Sequence, residues 1–116
     1  RGFVTYSNRA KEEMLGVPAE LIERHGAVSD EVARAMAEGA LIYSQAEVAV
    51  AVTGVAGPSG GSSGKPVGTV WIGGTTKDRQ TAGQRYQFTG DRTAVRQQSV
   101  VAALQQALVL CSGLER

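Results

Sequence analysis

The sequence has few of the residues that build disulfide frameworks and metal centres. It contains one cysteine, Cys111, and one histidine, His25. A single cysteine excludes an internal disulfide and suits a reducing compartment, so we expect a cytoplasmic protein. One cysteine and one histidine also leave no zinc site within the chain, and we expect no bound metal.

Long apolar runs and an excess of positive charge are also lacking. The longest apolar run, residues 48–52 (VAVAV), is far too short to span a bilayer, so we expect no membrane partner. Lys and Arg number 12 against 11 Asp and Glu, which gives a net charge of +1. Nucleic-acid-binding domains are normally strongly basic, so we expect no nucleic-acid partner.

The length and composition indicate one globular domain. The 116 residues are enough for a single domain, and the 42% of hydrophobic residues can build a core. The chain starts with Arg1 and enters a strand-like segment at once. We therefore expect that the N-terminal part of the domain is missing from this chain.

The first third of the sequence predicts a strand followed by three helices. Residues 3–6 are apolar and β-branched enough for a strand, and Ser7 or Asn8 can cap a helix that runs to about Leu15. Gly16 ends that helix. A second, short helix follows Pro18, and Ser29 begins a longer one with acidic residues in its first turn.

The remainder predicts three strands and a final helix. Residues 48–52 are apolar on both faces, as in strands covered on two sides. Strands over 67–75 and 84–89 read as a hairpin, so we expect a mixed sheet in a three-layer α/β/α sandwich of the α/β class. The last helix begins near Asp91, and its predicted buried stripe is Val100, Leu104, Ala107, Leu108 and Cys111.

The glycine-rich stretch after the first long strand does not match a nucleotide-binding loop. A Walker A loop fails at Ser59 and at Pro66, and no G-x-G-x-x-G pattern occurs. The segment TGVAGP, from Thr53, directly follows a buried strand, where ligands of α/β sheets collect. Glycines there either admit a substrate to the backbone or form a tight turn.

Two cationic residues have more than one interpretation. Arg92 falls in the first turn of the last helix, where it opposes the helix dipole; it indicates either a bound anion or a salt bridge, for example with Asp91. Lys11 lies beyond the predicted strand-to-helix junction, five positions after Tyr6. Partial burial would favour its neutral amine, which can act as a general base, whereas a surface lysine is only a solvated charge.

Five stretches, taken together, resemble one family. They are RGFVTYSNRAKEEMLGV, HGAVSDEVARAMAEGA, VAVAVTGVAGPSGG, KPVGTVWIG and FTGDRTAVR, in order over nearly the whole chain. The sequence resembles the CinA C-terminal domain family, which includes the bacterial nicotinamide mononucleotide deamidases, so residues 1–116 are interpreted as one such domain. The resemblance implies an amidohydrolase of pyridine nucleotide salvage, which releases ammonia from nicotinamide mononucleotide without metal or cofactor.

The resemblance also implies roles for particular residues. Lys11 would be the base that takes the proton of a serine nucleophile, and Tyr6 would support the same hydrogen-bond network. Arg92 would help to bind the nucleotide phosphate or shape the pocket. The substrate site would be lined by Thr53, Gly54, Ala56 and Gly57.

The serine itself is not among these residues. In the family it belongs to an E-S-C-T-G-G-type segment, which does not occur in this sequence. We therefore expect these 116 residues alone to be inactive. Two alternatives stay open: a non-catalytic pyridine-nucleotide-binding module, and a competence-associated interaction module. The expected partner is the small-molecule substrate, and a homodimer is allowed.

Overall fold

The computed structural model of the protein describes residues 1–78 and 80–114. Three helices come first, three strands follow, and a long helix ends the chain. Their bounds are α1 Asn8–Leu15, α2 Ala19–His25, α3 Asp30–Ile42, β1 Val48–Gly54, β2 Thr69–Thr76, β3 Ala82–Gln87 and α4 Arg92–Leu114.

The ends of the first three helices follow from local side-chain chemistry. The Ser7 hydroxyl accepts a hydrogen bond from the backbone N–H of Ala10 at 3.0 Å, and the Ser29 hydroxyl accepts one from Val32 at 3.3 Å. Both serines thereby satisfy N–H groups that a helix start leaves free. Gly16 ends α1 in the left-handed conformation at φ 67°. The predicted caps of α1 and α3 are confirmed.

The three strands form an antiparallel sheet in the order β1-β2-β3. The expectation of a mixed sheet is wrong for the described residues. A parallel pair needs a crossover connection, usually a helix. Here β1 and β2 are joined by a loop without a helix, and β2 and β3 by a turn, so both pairs run antiparallel.

The two faces of the sheet pack against different helices. Ala51 of β1 belongs to a buried cluster with Val32 and Met36 of α3. The next residue back, Val50, packs instead against the cluster that contains Val95 of α4. Because neighbouring residues of a strand point to opposite faces, α1 to α3 cover one face and α4 the other. The predicted three layers and the α/β class are confirmed.

The buried side of α4 differs from the predicted one. Val100 is 58% exposed, and Leu104, Leu108 and Cys111 are exposed as well. The helix instead faces the sheet with the side that carries Val95, Ser99, Ala102 and Ala103, which are all buried. Most of these side chains are small, which lets the helix approach the sheet closely.

Residues 1–6 form no strand, so that prediction is also wrong. The segment runs beside the free edge of β1, but a cleft of about 600 Å³ lies between residues 1–6 and residues 48–52. Across this gap no backbone ladder forms. The segment is held by other contacts, since Arg1 donates to the carbonyl of Tyr43 at 3.1 Å and Phe3 packs against the core.

Candidate functional site

The amine of Lys11 is buried. The side chain is 7% exposed, because α1 packs that face against α3 and α2. Its Nζ donates a hydrogen bond to the backbone carbonyl of Thr5 at 2.8 Å. Burial lowers the pKa of this amine from its ordinary value of 10.5, since desolvation disfavours the charged form. The direction of this pKa shift is the one expected from partial burial of the side chain.

Tyr6 lies next to this amine in sequence but not in its hydrogen-bond network. Its side chain is 89% exposed. Within the described part of the chain its hydroxyl makes no hydrogen bond to Lys11, whose partner is the Thr5 carbonyl. The sequence analysis did not identify the Thr5 carbonyl as the partner of Lys11. A pattern of side chains carries no information about which backbone carbonyl accepts a hydrogen bond.

Thr53 ends the buried part of β1 and holds a neighbouring turn. Its hydroxyl donates to the carbonyl of Ala27 at 2.8 Å, and the residue is buried. That hydroxyl hydrogen is already used, so Thr53 can offer a substrate only the acceptor side of its oxygen. Its contact with Ala27 instead positions the following residues.

The stretch after Thr53 contains the predicted residues Gly54, Ala56 and Gly57. Gly54 and Ala56 line an apolar cleft of about 390 Å³ together with Val70 and residues of α4. A Cβ on Gly54 would lie 3.0 Å from the carbonyl oxygen of Thr69, so glycine is required by the close approach of β2.

Arg92, at the start of α4, contacts this same stretch. Its Nη1 donates to the carbonyl of Gly57 at 2.9 Å. The alternative of a salt bridge with Asp91 is not what the described residues show, because the Asp91 carboxylate caps α4 by accepting from the N–H of Ala94. Arg92 has further N–H groups, so it can hold the loop and still donate to an anion.

The structure brings the predicted residues together in two groups. One comprises Lys11 and the Thr5 carbonyl that holds it, with Tyr6 alongside. The other comprises Gly54, Ala56, Gly57 and Arg92. Thr5 and Tyr6 line the cleft at the edge of β1, and Gly54 and Ala56 line the apolar cleft. Val52 lines both, so the two clefts meet at that residue.

Metal chemistry has no candidate among residues 1–78 and 80–114. No group of three or more His, Cys, Asp or Glu side chains comes close enough to hold an ion there. Among the helices that the structure describes, none combines the length and the apolar character needed to cross a membrane.

Comparisons with known proteins identify the family to which the chain belongs. The family model of the CinA C-terminal domain matches residues 1–111. The chain belongs to the CinA C-terminal domain family. The match includes every residue placed in the two groups above.

Several relatives carry names that state an activity. The chain is 56% identical over 108 residues to a nicotinamide-nucleotide amidohydrolase PncC of Enterobacter agglomerans, covering 93% of this chain and 66% of that protein. It is 52% identical to the PncC of Escherichia coli K12, covering 90% of this chain and 64% of that protein. The chain thus spans a little under two thirds of the length of these curated relatives.

A solved structure shows the same fold. The crystal structure of the competence/damage inducible protein CihA from Agrobacterium tumefaciens superposes with a TM-score of 0.92 at 45% identity. The match covers 95% of this chain and 67% of that one. The arrangement of helices and strands described above is therefore the arrangement found in a CinA-family protein.

Proposed function

We propose that this chain carries the general base and the substrate-lining loop of an amidohydrolase acting on nicotinamide mononucleotide. The products are nicotinate mononucleotide and ammonia. The observation that carries the proposal is the buried Lys11 amine with its lowered pKa, found in a family whose relatives are named nicotinamide-nucleotide amidohydrolases. The place in pyridine nucleotide salvage and the cytoplasmic location belong to the same proposal.

In the proposed reaction the neutral Lys11 amine takes the proton of a serine hydroxyl. The serine oxygen attacks the carboxamide carbon, and the tetrahedral intermediate expels ammonia with the proton that lysine returns. Water then hydrolyses the ester to the carboxylate and frees the serine. The serine is assigned to a segment of the E-S-C-T-G-G type, which the 116 residues do not contain.

The Thr5 carbonyl fits the role of a support for this base. It accepts one N–H of Lys11 and so holds the amine in one orientation, while the lone pair of a neutral amine stays available for the serine proton. The carbonyl carries no formal charge, and with this partner in place the pKa of the amine is still lowered by burial.

The residues around the apolar cleft are proposed to bind the nucleotide. Gly54 and Ala56 present backbone and small side chains to the cleft, where the nicotinamide ring can pack. Arg92, already bonded to Gly57, is placed to donate its remaining N–H groups to the nucleotide phosphate.

The test is an ammonia-release assay with nicotinamide mononucleotide on the complete protein, comparing Lys11→Met with the unchanged protein. Removing a general base lowers kcat by about 10²–10⁴-fold. Lys77→Met is the matched control, because Lys77 is an exposed lysine in the β2–β3 turn. Turnover by Lys11→Met within a few fold of the unchanged protein would defeat the assignment.

A non-catalytic nucleotide-binding module remains the second candidate. The exposed Tyr6, which makes no hydrogen bond to Lys11, is the observation in its favour. This candidate expects nicotinamide mononucleotide to bind to the complete protein without ammonia release. Calorimetric binding beside the ammonia assay separates the two functions.

A further inference from the structure

Lys65 is the one lysine of the glycine-rich loop, which we define as residues 55–68 between β1 and β2. Its side chain does not line the apolar cleft. Its Nζ instead donates to the backbone carbonyl of His25, the last residue of α2, at 2.5 Å. The ammonium thus lies at the C-terminal end of a helix, where the carbonyl groups and the helix dipole favour a cation.

The turn that receives Lys65 is built to accept several side chains. Three successive carbonyls, those of residues 25, 26 and 27, accept hydrogen bonds from three separate elements. Lys65 of the loop bonds His25, the Ser29 cap of α3 bonds Gly26 at 2.8 Å, and Thr53 of β1 bonds Ala27 at 2.8 Å. The turn therefore joins the glycine-rich loop to the end of β1.

Gly26 is adapted to this arrangement in two ways. Its φ of 77° with ψ of 159° is a backbone conformation that essentially only glycine adopts. A Cβ at this position would also lie 2.6 Å from Nζ of Lys65. The ammonium consequently sits directly against the turn, at a position that any other residue would obstruct.

The glycine-rich loop has other anchors on the side of the sheet. The carbonyl of Pro66 accepts from the N–H and the hydroxyl of Thr69, and the carbonyl of Val67 accepts from the side chain of Gln87. At the base, Gly68 donates its backbone N–H to the carbonyl of Val55, and Val55 donates its N–H to the carbonyl of Thr69. Beyond the base, Arg92 holds the carbonyl of Gly57, and the tip residues Ser62 and Lys65 bond each other's backbone. The Lys65 side chain is thus the described contact that fixes the tip side of the loop to the helical layer.

We propose that Lys65 is a positioning residue: its ammonium ties the glycine-rich loop to the turn after α2 and thereby sets where the loop residues Ala56 and Gly57 present themselves to substrate. The inference rests on the proposed function, since both residues belong to the proposed nucleotide-binding stretch. Arg92 holds one side of the loop and Lys65 the other, so the loss of either lets the loop shift.

The first measurement needs no substrate. Hydrogen exchange of the loop amides is compared in the unchanged complete protein and in Lys65→Met, Lys65→Arg and Lys77→Met. Met keeps the length of the side chain but cannot donate, so the hydrogen-bonded amides of Ser62 and Lys65 at the loop tip exchange about tenfold faster. Arg keeps the cation and restores protection, Lys77→Met changes nothing, and the β2 amides remain protected in all four proteins.

The second measurement is the Kd for nicotinamide mononucleotide by calorimetry. Lys65→Met weakens binding about fivefold, Lys65→Arg binds within about twofold of the unchanged protein, and Lys77→Met binds normally. Unchanged loop exchange in Lys65→Met overturns the anchoring. Faster loop exchange with an unchanged Kd overturns the positioning of the substrate-lining residues.

The proposed function and this inference fail in different ways. Absence of nucleotide binding and ammonia release in the unchanged protein defeats the proposed function. The exchange of the loop amides still decides whether Lys65 anchors the loop, because that measurement contains no nucleotide.

Discussion

At the scale of single residues, the environment of Lys11 decides what the side chain can do. The amine is buried and has one described polar partner, an uncharged carbonyl, so its pKa is lowered. The same burial affects folding. Between the lowered pKa and the ordinary value of 10.5, the unfolded chain holds a proton on Lys11 that the folded chain has lost.

The free energy of unfolding should therefore rise with pH over that interval. Stability increases with pH wherever the unfolded state binds more protons, and below the folded pKa both states are protonated, so the penalty stays constant. Lys11→Met, which has no titrating group, should show a flatter profile. Urea unfolding at a series of pH values measures this, with Lys77→Met as the control that keeps the rise. Parallel profiles for Lys11→Met and the unchanged protein would contradict the burial of the amine.

At the scale of elements, α4 is a helix whose existence was predicted correctly but whose buried side was predicted wrongly. The apolar stripe through Val100, Leu104 and Leu108 is real, but it lies at the surface of the described chain. The sheet is met by Val95 and by small residues such as Ala102 and Ala103. Periodicity indicates that a helix has an apolar side, whereas close packing depends on side-chain size at the contact.

Two valines of α4 provide a matched comparison. Val95 is 1% exposed and Val100 is 58% exposed. Val95→Ala should lower the free energy of unfolding by about 1–3 kcal/mol, because it leaves a cavity between α4 and the sheet. Val100→Ala should change it by less than about 0.5 kcal/mol, as exposed substitutions usually do. Denaturant unfolding of both variants is the measurement, and the reverse ranking would show that the predicted stripe is the buried one.

At the scale of the whole molecule, exposed apolar side chains lie close together on one side. Val52, Val100 and Leu104 line the same cleft, and the free edge of β1 borders it. Large exposed apolar patches mark surfaces that bind a partner or a ligand, and free strand edges offer unpaired backbone groups. This side of the described chain is therefore a surface on which we expect apolar molecules to bind.

The chain should accordingly bind the dye ANS, which is fluorescent in apolar environments. The double substitution Val100→Gln and Leu104→Gln should reduce the emission by about half or more, since it removes two exposed apolar side chains from this cleft. Ile42→Gln is the control, because Ile42 is equally exposed but lines neither cleft. An equal loss of emission in the control would show that ANS does not bind preferentially at this cleft.

Only part of the candidate site could be predicted from the sequence. Lys11 is named by its spacing from the junction and by the family resemblance, and the structure buries it. The lysine's partner and the partner of Arg92 are the backbone carbonyls of Thr5 and Gly57. Every residue has a carbonyl, so sequence patterns carry no signal for which one is used. The contact of Lys65 was not predicted, because its partner, the carbonyl of His25, lies 40 positions away in the sequence.

By itself, the sequence determined the features that depend on neighbouring residues: the caps at Ser7 and Ser29, the left-handed end of α1 at Gly16, and the existence of strand β1, although its Val52 is exposed and not covered as predicted. Each rests on contacts within about four residues or on backbone preference. Only the tertiary structure decided the antiparallel pairing, the side of α4 that faces the sheet, and the failure of residues 1–6 to join it. These depend on which distant surfaces compete for the same partner, and local chemistry does not encode that competition.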